Sequence, residues 1–163
     1  MSDPRPGIRI DLGRQVLELR EAGRVVRRYA VSTALNGPGE RNGSGCTPRG
    51  RHRVRIRVGE GCPPGTVFVG RRPTGEVYGP ALAAAQPGRD WILTRILWLT
   101  GCEPGRNRGG DVDTLRRYIY IHGSPDDAPL GVPLSHGCIR MRSADILDLF
   151  GRVANGTPVE IVG

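Results

Sequence analysis

The sequence predicts a mainly β protein, a sandwich or open barrel with little helix. Two observations lead to this fold class. Twenty-five glycines and fourteen prolines are spread through the 163 residues, a distribution typical of many turns between short strands. Apolar residues also alternate with charged ones in several short segments, which is the pattern of half-buried strands. Residues 1–163 carry no repeat or linker, so we expect a single domain.

Alternation predicts the strands of the first half of the chain. Residues 8–12 form the first, and segments 15–19 and 25–31 form a pair joined by a turn at Ala22-Gly23. A glycine-rich loop over 36–50 precedes a strand over 51–58. Its inner face would carry His52, Val54, Ile56 and Val58. The arginines between them are interpreted as a solvated sheet face.

Further strands are predicted at 67–69, 76–78, 91–99 and 118–122. The run 91–99 is apolar almost throughout, and its branched residues and flanking glycines favour a strand over a buried helix. The last of these strands would end at His122.

One helix is predicted, after Cys138. Ser143 is the expected N-cap, and Asn155-Gly156 is the expected stop. The apolar stripe of this helix consists of Ile146, Leu147, Phe150 and Val153. A final strand follows at 157–162.

The formal charge is +8, and all 24 basic residues are arginine. An anionic partner would explain this charge, but ordinary solvated arginines explain it as well. The chain has only eight aromatic residues and no recognition-module signature, so we do not expect nucleic acid as a partner. A small anionic ligand remains compatible with the composition.

The first residues lack the apolar core of a signal peptide, and no apolar run approaches membrane-spanning length. We therefore expect a cytoplasmic protein without a membrane partner if the chain is complete, and an exported one if a signal has been removed. Oligomeric state is left open. Cys46, Cys62 and Cys102 lack a nearby histidine in sequence, and no disulfide framework is predicted.

The segment from His122-Gly123 to Ser135-His136-Gly137-Cys138 predicts a covalent acyl-transfer site. A cysteine becomes a strong nucleophile at neutral pH beside a base, and histidine is the usual base. Glycine next to the cysteine lets backbone N–H groups approach a substrate. Tyr118 and Tyr120 would share the strand face of His122.

Other roles for these residues stay open at this point. His122 could be a structural histidine bonded to backbone, and Cys138 a small buried apolar residue. Ser135 and His136 could fix the loop, while Arg140 could hold a carboxylate or form a salt bridge. A zinc site from His122, His136 and Cys138 matches no common spacing, so neither a metal nor a cofactor is predicted.

At these residues the chain resembles the L,D-transpeptidase (YkuD-like) catalytic domain family, whose signature is a histidine followed by Ser/Thr-His-Gly-Cys. Segments 29–33, 47–50 and 156–161 also resemble the family pattern. The resemblance implies a mainly β L,D-transpeptidase-like fold. It further implies a cysteine acyl-enzyme that acts on the peptidoglycan stem tetrapeptide and releases the terminal D-alanine through a thioester.

The resemblance also assigns roles to the residues of the motif. Cys138 would be the nucleophile and His122 its base, oriented by the carbonyl of Gly123. The N–H groups of Gly137 and Cys138 would stabilise the oxyanion, with His136 as a further donor. The candidates for substrate binding are Arg140, His136, Ser135 and Tyr120.

The acceptor of the acyl group decides the reaction. The runs 91–99 and 116–122 resemble a short cytosolic branch that trims soluble muropeptides, and no export signal is evident. Water is therefore the expected acceptor, which makes the protein an L,D-carboxypeptidase of muropeptide recycling. The alternatives are a transpeptidase that forms 3→3 cross-links or exchanges D-amino acids, and a non-catalytic binder of anionic glycopeptide.

Overall fold

The computed structural model describes residues 4–163, and within them ten strands form one sheet that curls into a half-barrel. The strands are β1 (Gly7–Asp11), β2 (Val16–Glu21), β3 (Arg24–Ala30), β4 (Gly50–Val58), β5 (Thr66–Val69), β6 (Arg72–Val77), β7 (Leu93–Gly101), β8 (Tyr120–Ser124), β9 (Ile139–Arg142) and β10 (Pro158–Val162). The helices are α1 (Pro80–Ala85) and α2 (Ser143–Phe150). The predicted mainly β fold class is confirmed.

The strands follow the order β3-β2-β1-β10-β4-β7, and β8 and β9 continue the sheet beyond β7. The β1–β10 and β8–β9 pairs are parallel. The β5–β6 hairpin joins the sheet only at the start of β7, where Val67 pairs with Leu93. This hairpin therefore lies beside the β7–β8–β9 end of the sheet.

The two ends of the curled sheet meet at Ser32 and Arg140. Ser32 N–H donates to the Arg140 carbonyl at 3.0 Å, and Arg140 N–H donates to the Ser32 carbonyl at 2.8 Å. The Ser32 hydroxyl also donates to the Val132 carbonyl at 2.6 Å and accepts from Leu134 N–H at 3.1 Å. The segment after β3 thus fixes both β9 and the loop that leads into it.

Two apolar clusters lie on the two sides of the β7–β8 region. The larger fills the inside of the half-barrel, where α2 contributes Ile146, Leu149 and Phe150. The smaller consists of Phe68, Ile96 and Tyr120, and both Cys62 and Cys138 pack against it. Cys138 therefore packs against an apolar cluster to which β5, β7 and β8 each contribute one buried residue.

The predicted alternation of β4 is wrong at its end. It holds as far as Val54, but the pairing with β7 shifts between Val54 and Ile56. A bulge of this kind adds one unpaired residue and moves the following side chains to the other face. Ile56 is consequently 36% exposed, and Arg57 turns inward over the Phe150 ring, 3.9 Å from its centroid.

The predicted helix boundaries also change. Ser143 is the first helical residue of α2, and the N-cap position belongs to Arg142, whose side chain makes no capping bond. The helix stops at Phe150, since Gly151 caps it well before the predicted stop at Asn155-Gly156. The short helix α1 was not predicted, because its six residues contain no buried stripe.

The strand that carries His122 is shifted toward its C-terminus relative to the prediction. β8 begins at Tyr120 and continues to Ser124, so His122 lies at its centre rather than at its end. Tyr118 precedes the strand with a left-handed φ of 55°. The alternation predicts that Tyr118 shares the strand face of His122, and this prediction is wrong because Tyr118 lies outside the strand.

Asn107 organises the long connection between β7 and β8. Its side chain is fully buried, and Nδ2 donates to the carbonyls of Arg49 and Arg51 at 3.0 and 3.1 Å. Its Oδ1 accepts from Glu103 N–H at 2.9 Å. One amide side chain therefore bonds three backbone groups, of which the Arg51 carbonyl also accepts from Cys102 N–H.

We expect Asn107→Ala to lower the free energy of unfolding by about 1–3 kcal/mol, because it leaves buried backbone groups without partners. The control is Asn36→Ala, which removes one exposed bond to the Ser44 carbonyl and should have a smaller effect. Chemical denaturation of both variants measures the difference. Equal destabilisation by the two substitutions would contradict this role for Asn107.

Candidate active site

His122 is buried at the centre of β8, between β7 and β9. It pairs with Ile96 on one side and with Arg140 on the other. Its ring nitrogen Nδ1 lies 2.7 Å from the Gly123 carbonyl oxygen. Because a carbonyl only accepts, Nδ1 carries the proton, and Nε2 of the neutral ring is left to accept one.

Gly123 is required by the packing around this carbonyl. A Cβ at this position would lie 2.5 Å from the Leu93 carbonyl oxygen and 3.1 Å from the Ser143 hydroxyl. Any side chain would therefore push β8 away from β7 or from the start of α2. The close packing fixes the carbonyl that holds the His122 ring.

The Cys138 thiol is positioned by two backbone groups. Sγ accepts from Tyr120 N–H and donates to the Tyr118 carbonyl, both at 3.3 Å. Tyr118, whose carbonyl accepts from the thiol, has a left-handed φ of 55°. A non-glycine residue with positive φ is uncommon and is frequently found at functional sites.

Burial favours the neutral forms of both groups. It raises the pKa of the Cys138 thiol to about 12, and the Asp90 carboxylate acts in the same direction, while Tyr120 N–H, Arg140 and Arg117 oppose it. Burial lowers the pKa of His122, although the Gly123 carbonyl and Asp90 favour the protonated ring. Burial therefore works against a thiolate and an imidazolium at this site and favours the thiol and the neutral imidazole.

The loop before Cys138 is fixed by internal hydrogen bonds. The Ser135 hydroxyl donates to the Cys138 carbonyl at 2.6 Å and accepts from Gly137 N–H at 3.2 Å. The Thr47 hydroxyl donates to the Gly137 carbonyl at 2.9 Å. Ser135 is 2% exposed, and both of its hydroxyl bonds fix the loop at the wall of the site. The Gly137 N–H, a predicted oxyanion donor, is already engaged.

Arg117 holds a second loop against the site. Its guanidinium donates to the carbonyls of Gly39 and Cys46 at 3.2 and 2.6 Å. Burial lowers the pKa of Arg117 relative to a free arginine. The guanidinium thus supplies positive charge beside Cys138 while it ties residues 39–46 to the rim.

His122 and Cys138 line one small pocket of about 60 Å³, together with Arg117, Tyr118 and Ser135. Asp90, His136 and Arg140 line this pocket and also a neighbouring one of about 220 Å³. That second pocket shares Ser124 and Pro125 with a third of about 670 Å³. The three pockets together form a cleft that starts at the thiol. The predicted substrate contacts Arg140 and His136 lie on its wall.

Tyr120 is placed differently from the prediction. Its side chain is 5% exposed and packs in the smaller apolar cluster, where its hydroxyl accepts from Arg71 at 2.9 Å. It lines none of the three pockets of the cleft. Tyr120 therefore contacts Cys138 through its backbone N–H, and its side chain supports the β5–β6 hairpin.

The described residues also bear on metal binding, on disulfides and on membrane-spanning helices. Within residues 4–163, no group of three or more His, Cys, Asp and Glu side chains could hold a metal ion. All four cysteines are free. No helix in the described part of the chain is long and apolar enough to cross a bilayer.

Four residues of the site escaped the sequence analysis or were given no role there: Thr47, Asp90, Arg117 and Tyr118. Thr47 and Tyr118 act through a hydroxyl on a loop and through a backbone carbonyl, which no local pattern reveals. Asp90 and Arg117 come from two distant loops that only the folded sheet brings to Cys138. The segment resemblance at 47–50 was the one available signal for Thr47.

Comparisons with known proteins agree on one family. A family model described as the L,D-transpeptidase catalytic domain matches residues 5–161. Over 61 residues the chain is 38% identical to the putative L,D-transpeptidase YkuD of Bacillus subtilis, a match that covers 34% of this chain and 37% of that protein.

Solved structures show the same fold. The L,D-transpeptidase from Xylanimonas cellulosilytica matches with a TM-score of 0.55 at 23% identity, over 99% of this chain and 62% of that one. L,D-transpeptidase 3 from Mycobacterium tuberculosis, solved in complex with a faropenem-derived adduct, matches with a TM-score of 0.59 at 16% identity, over 98% and 62%. The chain spans less than two thirds of each of these relatives.

We expect alkylation of Cys138 by iodoacetamide to be slow at neutral pH. Because burial raises the pKa of this thiol to about 12, the thiolate fraction and the labelling rate should rise about tenfold per pH unit between about pH 7 and pH 10. Mass spectrometry of the Cys138 peptide gives the rate, and Cys138→Ala identifies that peptide. A plateau below about pH 9 would show that the thiolate is stabilised at the site.

Proposed function

This chain belongs to the family of L,D-transpeptidase catalytic domains, enzymes that act on peptidoglycan peptides. From this premise, we propose that it is a cysteine acyl-enzyme that removes the terminal D-alanine from the stem tetrapeptide of soluble muropeptides. Cys138 is the nucleophile, His122 is the base, and water is the acceptor. The chain would then be an L,D-carboxypeptidase.

One observation carries this proposal. Cys138 and His122 line the same 60 Å³ pocket, and the Gly123 carbonyl fixes the tautomer in which His122 Nε2 can take a proton. A nucleophile and a base oriented by a third group are the elements of covalent acyl transfer. The order of these residues along the chain is irrelevant to that chemistry.

In the first step, Sγ bonds to the carbonyl carbon at the L-centre of the diamino acid, and the thiol proton moves to His122 Nε2. The neutral resting pair makes this a general-base step, with proton transfer as the S–C bond forms. The Gly137 N–H already donates to the Ser135 hydroxyl. We therefore assign stabilisation of the oxyanion to the backbone N–H groups of Cys138 and His136. Breakdown breaks the C–N bond, and His122 returns the proton to the amine of D-alanine.

In the second step, His122 takes a proton from water as the water oxygen bonds to the thioester carbon. The C–S bond then breaks, and His122 returns the proton to Sγ, which restores the thiol. The narrow catalytic pocket supports water as the acceptor. Its volume of about 60 Å³ is small compared with the volume of a peptide that carries an acceptor amine. An amine would have to arrive from the 220 Å³ pocket, past the facing side chains of Asp90 and Arg140.

The width of the outer cleft favours a second candidate, transfer to an amine. The third pocket, of about 670 Å³, is large enough for a further peptide strand. In that reaction the same thioester would react with an amine, giving a 3→3 cross-link or an exchanged D-amino acid. The two reactions share Cys138 and His122 and differ only in the acceptor.

We expect a disaccharide tetrapeptide to be converted to the tripeptide with release of D-alanine. Cys138→Ala should reduce turnover by about a thousandfold or more, because it removes the nucleophile. Cys62→Ala is the matched control, since Cys62 packs against the same apolar cluster but lines none of the three pockets. Liquid chromatography with mass spectrometry identifies the products. Dimers or exchanged peptides as main products would establish the transfer reaction instead, and full turnover by Cys138→Ala would remove the catalytic assignment.

We also expect a carbapenem to acylate Cys138. The carbonyl carbon of its strained β-lactam ring can bond to the thiol sulfur in place of the stem-peptide carbonyl carbon. Intact-mass spectrometry should show one added drug mass on the wild-type chain and on Cys62→Ala, and none on Cys138→Ala. A non-catalytic binder of glycopeptide would give no covalent adduct on any of the three proteins.

A further inference from the structure

Asp90 and Arg140 face each other at the junction of the 60 Å³ and 220 Å³ pockets, and both side chains line both pockets. Arg140 Nη2 lies 3.6 Å from Asp90 Oδ1. The closest ion pairs of the described residues are tighter: Arg20 and Glu18 approach to 2.7 Å, and Arg89 and Glu76 to 2.8 Å. The two charges at the junction therefore attract each other without closing into a hydrogen-bonded pair.

Both groups keep their hydrogen-bonding capacity. Among the described residues, neither the Arg140 guanidinium nor the Asp90 carboxylate takes part in a side-chain hydrogen bond. The Arg140 side chain is 21% exposed and lines both pockets, whereas the Asp90 side chain beside it is 62% exposed. A partly covered guanidinium without a close acceptor is suited to a bidentate contact with a carboxylate.

The backbone on both sides of this junction is fixed. Arg140 is held by its two backbone bonds to Ser32. On the other side, Arg89 makes two bonds to Glu76, at 2.8 and 3.1 Å, and stacks over the Trp91 ring, 4.7 Å from its centroid. Asp90 is thus presented between two anchored neighbours, which reduces the entropy lost when a ligand binds.

We propose that Asp90 and Arg140 recognise a zwitterionic amino-acid group of the substrate, with its carboxylate on Arg140 and its ammonium on Asp90. A ligand group with only one charge would meet a like charge on the other side of the junction. A group that carries both charges satisfies both side chains and leaves neither unpaired.

This inference rests on the proposed function, in which the stem peptide supplies the group. The diamino acid then has a second centre with a free amine and a free carboxylate, as in diaminopimelate, whereas lysine offers an amine alone. The 220 Å³ pocket also presents Trp91, Pro125 and Ala128, apolar surfaces suited to the methylene chain between the two centres. When the stem peptide that donates the acyl group fills the 220 Å³ pocket, water would be the acceptor with the easiest access to the thioester.

The test uses three tetrapeptides that differ only at this second centre. The first carries diaminopimelate, the second has its distal carboxyl amidated, and the third has its distal amine replaced by hydrogen. Dissociation constants are measured by calorimetry on Cys138→Ala, which cannot turn the peptides over, and kcat/KM is measured on the active chain. Loss of either charge should weaken binding and lower kcat/KM about tenfold.

Substitutions on the protein side assign each charge. In Arg140→Gln the preference for carboxylate over amide should disappear, while the preference for the amine remains. In Asp90→Asn the pattern should be reversed. The matched controls are Arg41→Gln and Asp111→Asn, which break an ion pair of the same 3.6 Å separation that lines none of the three pockets. These controls should keep both preferences.

Equal affinity of the wild-type site for the three peptides would overturn the proposal, and so would a uniform loss of affinity in both junction variants. These outcomes are separate from failure of the proposed function. Cleavage of all three peptides at equal rates would leave the carboxypeptidase in place without the recognition site. The expected binding pattern without any cleavage would leave the recognition site in place without the carboxypeptidase.

Discussion

Two backbone hydrogen bonds between Ser32 and Arg140 close the curled sheet, and the site depends on that closure. They hold β9 against the segment after β3, and β9 in turn lies parallel to β8, with Arg140 in register with His122. Cys138 immediately precedes β9, so its position follows from the same pairing. An element of only four residues thus carries the arginine at the pocket junction, follows the nucleophile directly and pairs with the strand of the base.

The electrostatics of the site follow from its burial. A thiolate beside an imidazolium would need compensation for lost hydration, and the nearby charges of Asp90, Arg117 and Arg140 largely oppose one another. Burial favours the neutral pair in that environment. In the proposed reaction, charge would develop as the thiol attacks the substrate carbonyl, where backbone N–H groups could stabilise it.

Much of the fold could be predicted from the sequence, because alternation along β1 and the first half of β4 directly reports which face each residue buries. His122 and Cys138 could be found because their chemistry is carried by residue type. The bulge at Ile56 and the left-handed Tyr118 could not, since both are imposed by pairing with distant strands. The position of Asp90 at the cleft depends on its neighbour Arg89, which bonds Glu76 and stacks on Trp91. These are tertiary contacts, and they leave no local pattern in the sequence. The Tyr120 side chain lies outside the cleft because both faces of β8 are covered, which the sequence does not reveal.

The thiol is held by peptide groups of Tyr118 and Tyr120 rather than by their side chains. Substitution of either tyrosine leaves an N–H or a carbonyl in the same place, provided that the backbone keeps its path. Over evolutionary time these two positions can therefore change in side-chain identity while the sulfur keeps its contacts. The same arrangement restricts resistance to an inhibitor bonded to the sulfur. Exchange of one side chain at 118 or 120 does not displace the reactive atom, and a rearranged backbone would also disrupt the strand pairing that holds His122.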